Sequence, residues 1–164
     1  MIIVNEENID YAIELLDGYE DPDFENLLND VAEKQPVVLA YSMSMADQIE
    51  DEEYQQLLTY LMFVVWIAYN QQTKRIPTIT ESKLEQVEAD HLKWLEGLPE
   101  TEDELMEASL QENMKQPYLY TFISEEVFED EEMDDETRSW IITTLNVVIR
   151  SFDDALEITS HFLS

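Results

Sequence analysis

From Tyr54 to Thr73 the chain runs for 20 residues without a formal charge, and its centre, Leu57 to Tyr69 (LLTYLMFVVWIAY), is apolar on every side of a helix. A helix with no polar face is stable only when other apolar matter surrounds it. Its 13 apolar-rich residues fall short of the roughly 20 that a bilayer span needs, so the segment predicts a buried central helix. A second stretch, Ile141 to Ile149 (IITTLNVVI), matches Leu57 to Val65 at a shift of 84, with Thr59 on Thr143, Leu61 on Leu145 and Val64 on Val148. Lys34-Gln35-Pro36 recurs as Lys115-Gln116-Pro117 at a shift of 81, and Ile13 to Gly18 (IELLDG) falls on Leu92 to Gly97 (LKWLEG) at a shift of 79. The last match puts the only two glycines at equivalent places. The chain therefore reads as two copies of one unit, residues 1–77 and 78–164, sharing a single domain and core.

Each copy parses into four helices, giving an all-α fold of about eight helices arranged as one bundle or short helical array. Ile9, Ala12, Ile13 and Leu16 recur at helical spacing, and Gly18 is expected to end that helix in the left-handed conformation. Asp21-Pro22 opens a second helix with Phe24, Leu27, Leu28 and Val31 inward, Asp21 being the expected cap. Pro36 marks the start of a third, Val37 to Ile49, and Asp51 to Glu53 place negative charge at the positive end of the fourth. In the second copy, Ser82 to Glu85 and Thr101 to Glu104 have capping-box spacing. Leu84, Val87, Leu92 and Leu95 are expected to face inward, followed by Met106, Leu110 and Met114, and Tyr118, Leu119, Phe122 and Ile123 begin the next helix. The last helix runs from about Asp135 to Glu157. Thr143, Thr144 and Asn146 interrupt its apolar surface. Threonine hydroxyls can bond back to the preceding turn, and the asparagine is expected at an edge, against the alternative of a polar pocket between the copies.

The chemistry available is narrow. There are no cysteines, which excludes disulfides, thiolate metal sites and cysteine nucleophiles. Two glycines cannot build a phosphate-cradling loop, and no serine has a recognisable base partner. Glu88-Ala89-Asp90-His91 has the Glu-x-x-His spacing of carboxylate metal bundles, but such sites need two copies of it. His91, near the apolar stripe, is expected to be a boundary residue with a satisfied ring, and His161 to lie in the tail. The sequence thus predicts no enzyme, no cofactor and no metal site. The start MIIVNEENIDYAIELL lacks the basic region and cleavage site of a secretory signal, and the expected location is the cytoplasm.

Charge is the feature furthest from ordinary: 39 acids against 8 bases, net −31. Between Glu100 and Glu136 stand 15 acids and one base, Lys115, whereas residues 34–80 hold only five acids. Averaged over a surface of roughly 8,500 Å², −31 falls below the charge density of duplex DNA, about one per 110 Å²; one crowded face could reach it. The candidate binding face comprises Glu102, Asp103, Glu104 and Glu107, then Glu129, Asp130, Glu131 and Glu132, then Asp134, Asp135 and Glu136. The functional expectation is a protein-protein interaction module occupying a basic surface, either of a nucleic-acid-binding protein or of a cationic toxin. Direct binding to nucleic acid or to a membrane is opposed by the sign of the field. The alternatives are a helical adaptor whose acids only keep it soluble and a carboxylate metal bundle.

Overall fold

The computed structural model describes residues 2–97 and 115–163, with side chains through residue 157. Among the described residues it is all-helical, with seven helices and no strand. They are α1 (Glu6–Asp17), α2 (Asp21–Lys34), α3 (Pro36–Asp47), α4 (Glu52–Gln72), α5 (Glu81–Glu96), α6 (Pro117–Glu129) and α7 (Asp135–Leu163). The helix expected at residues 101–114 lies outside the described residues, as does the side chain of His161.

The uncharged run is α4, and every residue from Leu61 to Tyr69 is buried. α7 lies beside it, burying Ile141, Ile142 and Leu145 through Ile149. The two helices start at the same end of the molecule, where they line one cavity. They meet again at their far ends, where the Tyr69 hydroxyl donates to Asp153 Oδ1 at 2.7 Å. α1 and α3 pack on α4, α5 and α6 pack on α7, and α2 rests on α3. Across the middle α1 touches α6 and α3 touches α5. Each fully buried aliphatic side chain in this core is worth about 1.5–3 kcal/mol of transfer free energy. No helix among the described residues is long and apolar enough to cross a membrane.

Helix starts follow local chemistry, with corrections to the expected caps. Asn5 and Asn8 satisfy each other's backbone amides at 2.9 and 3.0 Å. α2 starts one residue earlier than expected, with Glu20 as cap residue and its amide bonded to Asp23 Oδ2 at 3.0 Å. α5 is capped by Thr80, which accepts from the Lys83 amide at 3.1 Å, and not by Ser82. Asp51 caps α4 through the Glu53 amide at 2.9 Å, at the helix start where negative charge is expected. Gly18 and Gly97 do end α1 and α5, but at φ −87° and −85°. Neither enters the left-handed region, so both are places that a residue with a side chain could occupy.

Three expected inward positions also differ. On α5 the buried residues are Leu84, Val87 and His91, while Leu92 is 49% exposed. Spacings of three and four carry the stripe onto the histidine. On α2, Leu27 and Val31 are buried but Phe24 and Leu28 remain over a third exposed, because α2 packs on one flank only, against α3.

The repeated Lys-Gln-Pro triplet has a specific structural use. Gln35 and Gln116 are both fully buried and adopt nearly the same backbone, φ/ψ −137°/61° and −130°/67°, just before a helix-starting proline. The Gln35 amide donates to Pro77 O and accepts from Ile79 N, both at 2.9 Å. The Gln116 amide donates to Ile2 O at 2.8 Å and accepts from Val4 N at 2.9 Å. Each glutamine side chain thereby replaces a neighbouring strand for an extended segment leading into a helix, satisfying backbone groups that burial would otherwise leave unpaired.

Candidate functional site

The acidic turn between α6 and α7 is tightly built. Asp130 Oδ1 accepts from the Glu132 amide at 2.9 Å, and Asp134 Oδ1 accepts from the Thr137 amide at 2.7 Å, which places it at the start of α7. The bond to Thr137 holds the Asp134 carboxyl below its usual range. Met133 is buried beneath the turn. Arg138 crosses it, donating to the Asp130 carbonyl at 2.6 Å and to Asp135 at 3.2 Å, with its guanidinium 5.5 Å from the Phe128 ring centre. The backbone of the turn is thus held by hydrogen bonds that leave its other carboxylates unbonded to it.

Two cavities flank this turn. One, about 430 Å³, is lined by Glu53, Tyr54, Gln56, Leu57 and Tyr60 of α4 and by Glu126, Glu129 and Asp130. The other, about 570 Å³, is lined by residues 48–51, Tyr54, Glu132, Asp134, Glu136, Thr137 and Trp140. Tyr54 belongs to both. Burial first, and then a hydrogen bond to Asp130, push its phenol up to about 12. Burial, followed by the neighbouring Glu129 and Glu125 charges, raises the Glu126 carboxyl. The Trp140 indole is held by a 2.8 Å bond from Nε1 to Met45 O. Neither lining contains a lysine or arginine.

Of the candidate face, Glu129 and Asp130 line the first cavity and Glu132, Asp134 and Glu136 the second. Glu131 is exposed and lines neither, and Asp135 is turned toward Arg138. Glu102, Asp103, Glu104 and Glu107 lie outside the described residues. The sequence reading did not include Glu50, Asp51, Glu53 or Glu126. The signal for Asp51 and Glu53 is present: Asp51 to Glu53 and Asp134 to Glu136 each stand at the start of a helix, so helices that pack side by side from one end bring their acids together.

A second polar region is internal. His91, Tyr120 and Asn146 are 1%, 3% and 0% exposed. Tyr120 donates to Asn146 Oδ1 at 2.7 Å, and Asn146 Nδ2 faces His91 Nδ1 at 3.4 Å. That contact places the ring proton on Nε2, which has no partner among the described residues. Burial, and then the charge of Arg150, lower the His91 pKa to about 4. The asparagine is therefore in the core and not at an edge, and His91 is not the satisfied boundary residue expected. Thr144 does bond back to the preceding turn, at 2.8 Å to Trp140 O. Nearby, Asp153 Oδ1 accepts from Tyr69 and from Gln116 Nε2 at 2.9 Å, while its burial lifts the carboxyl to about 6. These groups sit in a closed core, and their hydrogen bonds are structural in kind. Among the described residues no group of three or more histidine and carboxylate side chains could hold a metal ion.

No protein family, no curated protein and no solved structure is detectably similar to this chain.

Proposed function

We propose that this protein is a cytoplasmic, non-enzymatic protein-protein interaction module whose acidic groove occupies a basic surface of a partner, either a nucleic-acid-binding protein or a cationic toxin. The observation that carries this reading is the pair of cavities sharing Tyr54. Carboxylates from the start of α4, the end of α6 and the start of α7 line them without a single lysine or arginine. Low-dielectric walls focus such a field, which accelerates encounter with a cationic surface and makes binding steeply salt-dependent.

The architecture behind it is a duplicated four-helix unit, eight helices in all, with halves at residues 1–77 and 78–164. The matching glutamine bonds support this. So does the register of buried positions: Val38, Leu39, Ser42 and Ala46 of α3 stand at the same intervals after Gln35 as Leu119, Tyr120, Ile123 and Val127 do after Gln116. Glutamine of each half holds the lead-in segment of the other, so the halves are interlocked.

The test is capture of cationic partners from cytoplasmic extract at low and physiological salt, using the protein and a variant with Glu53, Glu129, Glu132 and Glu136 changed to lysine. These positions avoid the Asp134 cap and the Asp135–Arg138 pair. Capture should fall by at least about 10-fold in the variant and drop steeply with salt, with the melting transition little changed. Capture that is indifferent to both changes would reject the reading in favour of a helical adaptor whose acids serve solubility.

A further inference from the structure

We propose that the trough between α2, α3 and α4 receives an amphipathic helix with a cationic flank, supplied by the basic partner. This rests on the acidic-groove reading and specifies what enters beside it. The trough is a cavity of about 460 Å³, floored by Ala46, Thr59, Tyr60 and Phe63, with Phe24 and Met43 on its walls. Phe24 and Met43 are 37% and 49% exposed, and Leu28, one turn after Phe24 on α2, is 37% exposed. The edge of Tyr19 against the Phe24 ring, 5.3 Å between centres at 82°, orders the aromatic wall. Methionine adapts its shape to an apolar guest.

Two features select the occupant. The backbone groups of α2, α3 and α4 are spent within their own helices, so the trough offers no edge to which an extended strand could bond; a helix brings its backbone already satisfied. Charge selects the flank. Asp47 and Glu52 border the trough, and Gln56 and Tyr60 are shared with the adjoining cavity of Glu53, Glu126, Glu129 and Asp130. An apolar strip thus runs beside a carboxylate strip, with no lysine or arginine lining either. A second copy of this chain, at net −31, is repelled from such a surface.

The experiment uses the full chain and three labelled peptides of about 18 residues, five helical turns. The first is an amphipathic helix of leucine, phenylalanine and lysine. The second has the same composition scrambled so that no apolar face forms, and the third is the amphipathic helix with glutamate for lysine. Fluorescence anisotropy at physiological salt should show the first binding about 10-fold tighter than the second, with no binding of the third. Phe24→Ala with Met43→Ser should remove the advantage of the first peptide while leaving the second unchanged, and Glu53→Lys with Glu129→Lys should weaken both. Equal binding of both cationic peptides, or no effect of the Phe24 and Met43 changes, overturns the trough and leaves the acidic groove standing. Failure of either cationic peptide to exceed the glutamate peptide overturns both. Concentration-dependent dimers abolished by the Phe24 and Met43 changes would make a second copy the occupant and overturn the proposal.

Discussion

Ala12, Leu39 and Met62 in the first half of the molecule and His91, Tyr120 and Asn146 in the second are all buried, yet one set is purely apolar and the other a hydrogen-bonded chain. In the proposed duplication their places correspond: Ala12 falls on His91 at the shift of 79, Met62 on Asn146 at the shift of 84, and Leu39 and Tyr120 follow Gln35 and Gln116 by the same interval. One layer of the fold is thus filled in two ways. The apolar filling is indifferent to partner identity so long as volume is kept. The polar filling is conditional, because each member must keep its partners or bear the full cost of burial.

The largest expected effect breaks that polar chain. Asn146→Ala removes the acceptor of the 2.7 Å bond from the Tyr120 hydroxyl and the amide that faces His91 Nδ1. The urea midpoint should report a loss of about 4 kcal/mol. Replacing all three at once with the first half's residues, His91→Ala, Tyr120→Leu and Asn146→Met, should cost less than that single change. A triple variant less stable than Asn146→Ala would show that the two layers are not interchangeable.

The next effect is pH dependence, where the halves' differing burial of charge becomes measurable. Burial raises Asp153 to about 6, so the stability tied to its protonated form is complete below the ordinary carboxylate range and disappears as pH rises through 6. His91, lowered to about 4, does the reverse: its contribution is complete above about 6.5 and disappears as pH falls through 4. Between these limits the two slopes oppose each other. Asp153→Asn keeps an oxygen for Tyr69 and Gln116 while removing one slope. Relative to the unaltered protein, the variant should gain stability with rising pH, reaching about 3 kcal/mol by pH 7. A constant difference across that range would remove burial as the cause.

Smaller effects compare the two glutamines. Gln116 holds Ile2, Val4 and Asp153, whereas Gln35 holds only Pro77 and Ile79. Gln116→Ala should therefore cost about 2.5 kcal/mol and Gln35→Ala about 1.5 kcal/mol. Equal losses would show that the bond to Asp153 adds nothing. Smallest is the pair Gly18→Ala and Gly97→Ala. Both backbones are right-handed, and an added Cβ would approach no closer than 3.7 and 3.5 Å. Each should raise stability by about 0.5 kcal/mol, visible as a small upward shift in melting temperature.

What could be read from the residues follows the range of the forces involved. The two central helices were legible because an apolar surface on every side has one stable environment. His91 was misplaced because hydrophobicity favoured Leu92, although spacing from Leu84 and Val87 points to the histidine. The Lys-Gln-Pro recurrence is visible, but the glutamines' partners lie 37 to 114 residues away and leave no local trace. The acidic groove was half legible. Residues 129–136 are contiguous and announce themselves, while Glu53 and Glu126 join them only because α4 and α6 line a common cavity.

The Val4 amide waits for an acceptor 112 residues downstream. At ribosomal rates of about 5–20 residues per second, Ile2, Ile3 and Val4 leave the exit tunnel roughly 6–20 s before Gln116 does. For that interval the growing chain carries an unpaired, water-exposed β-prone segment. Nascent-chain chaperones should find it there, and it is released from their reach only when the second half has been made.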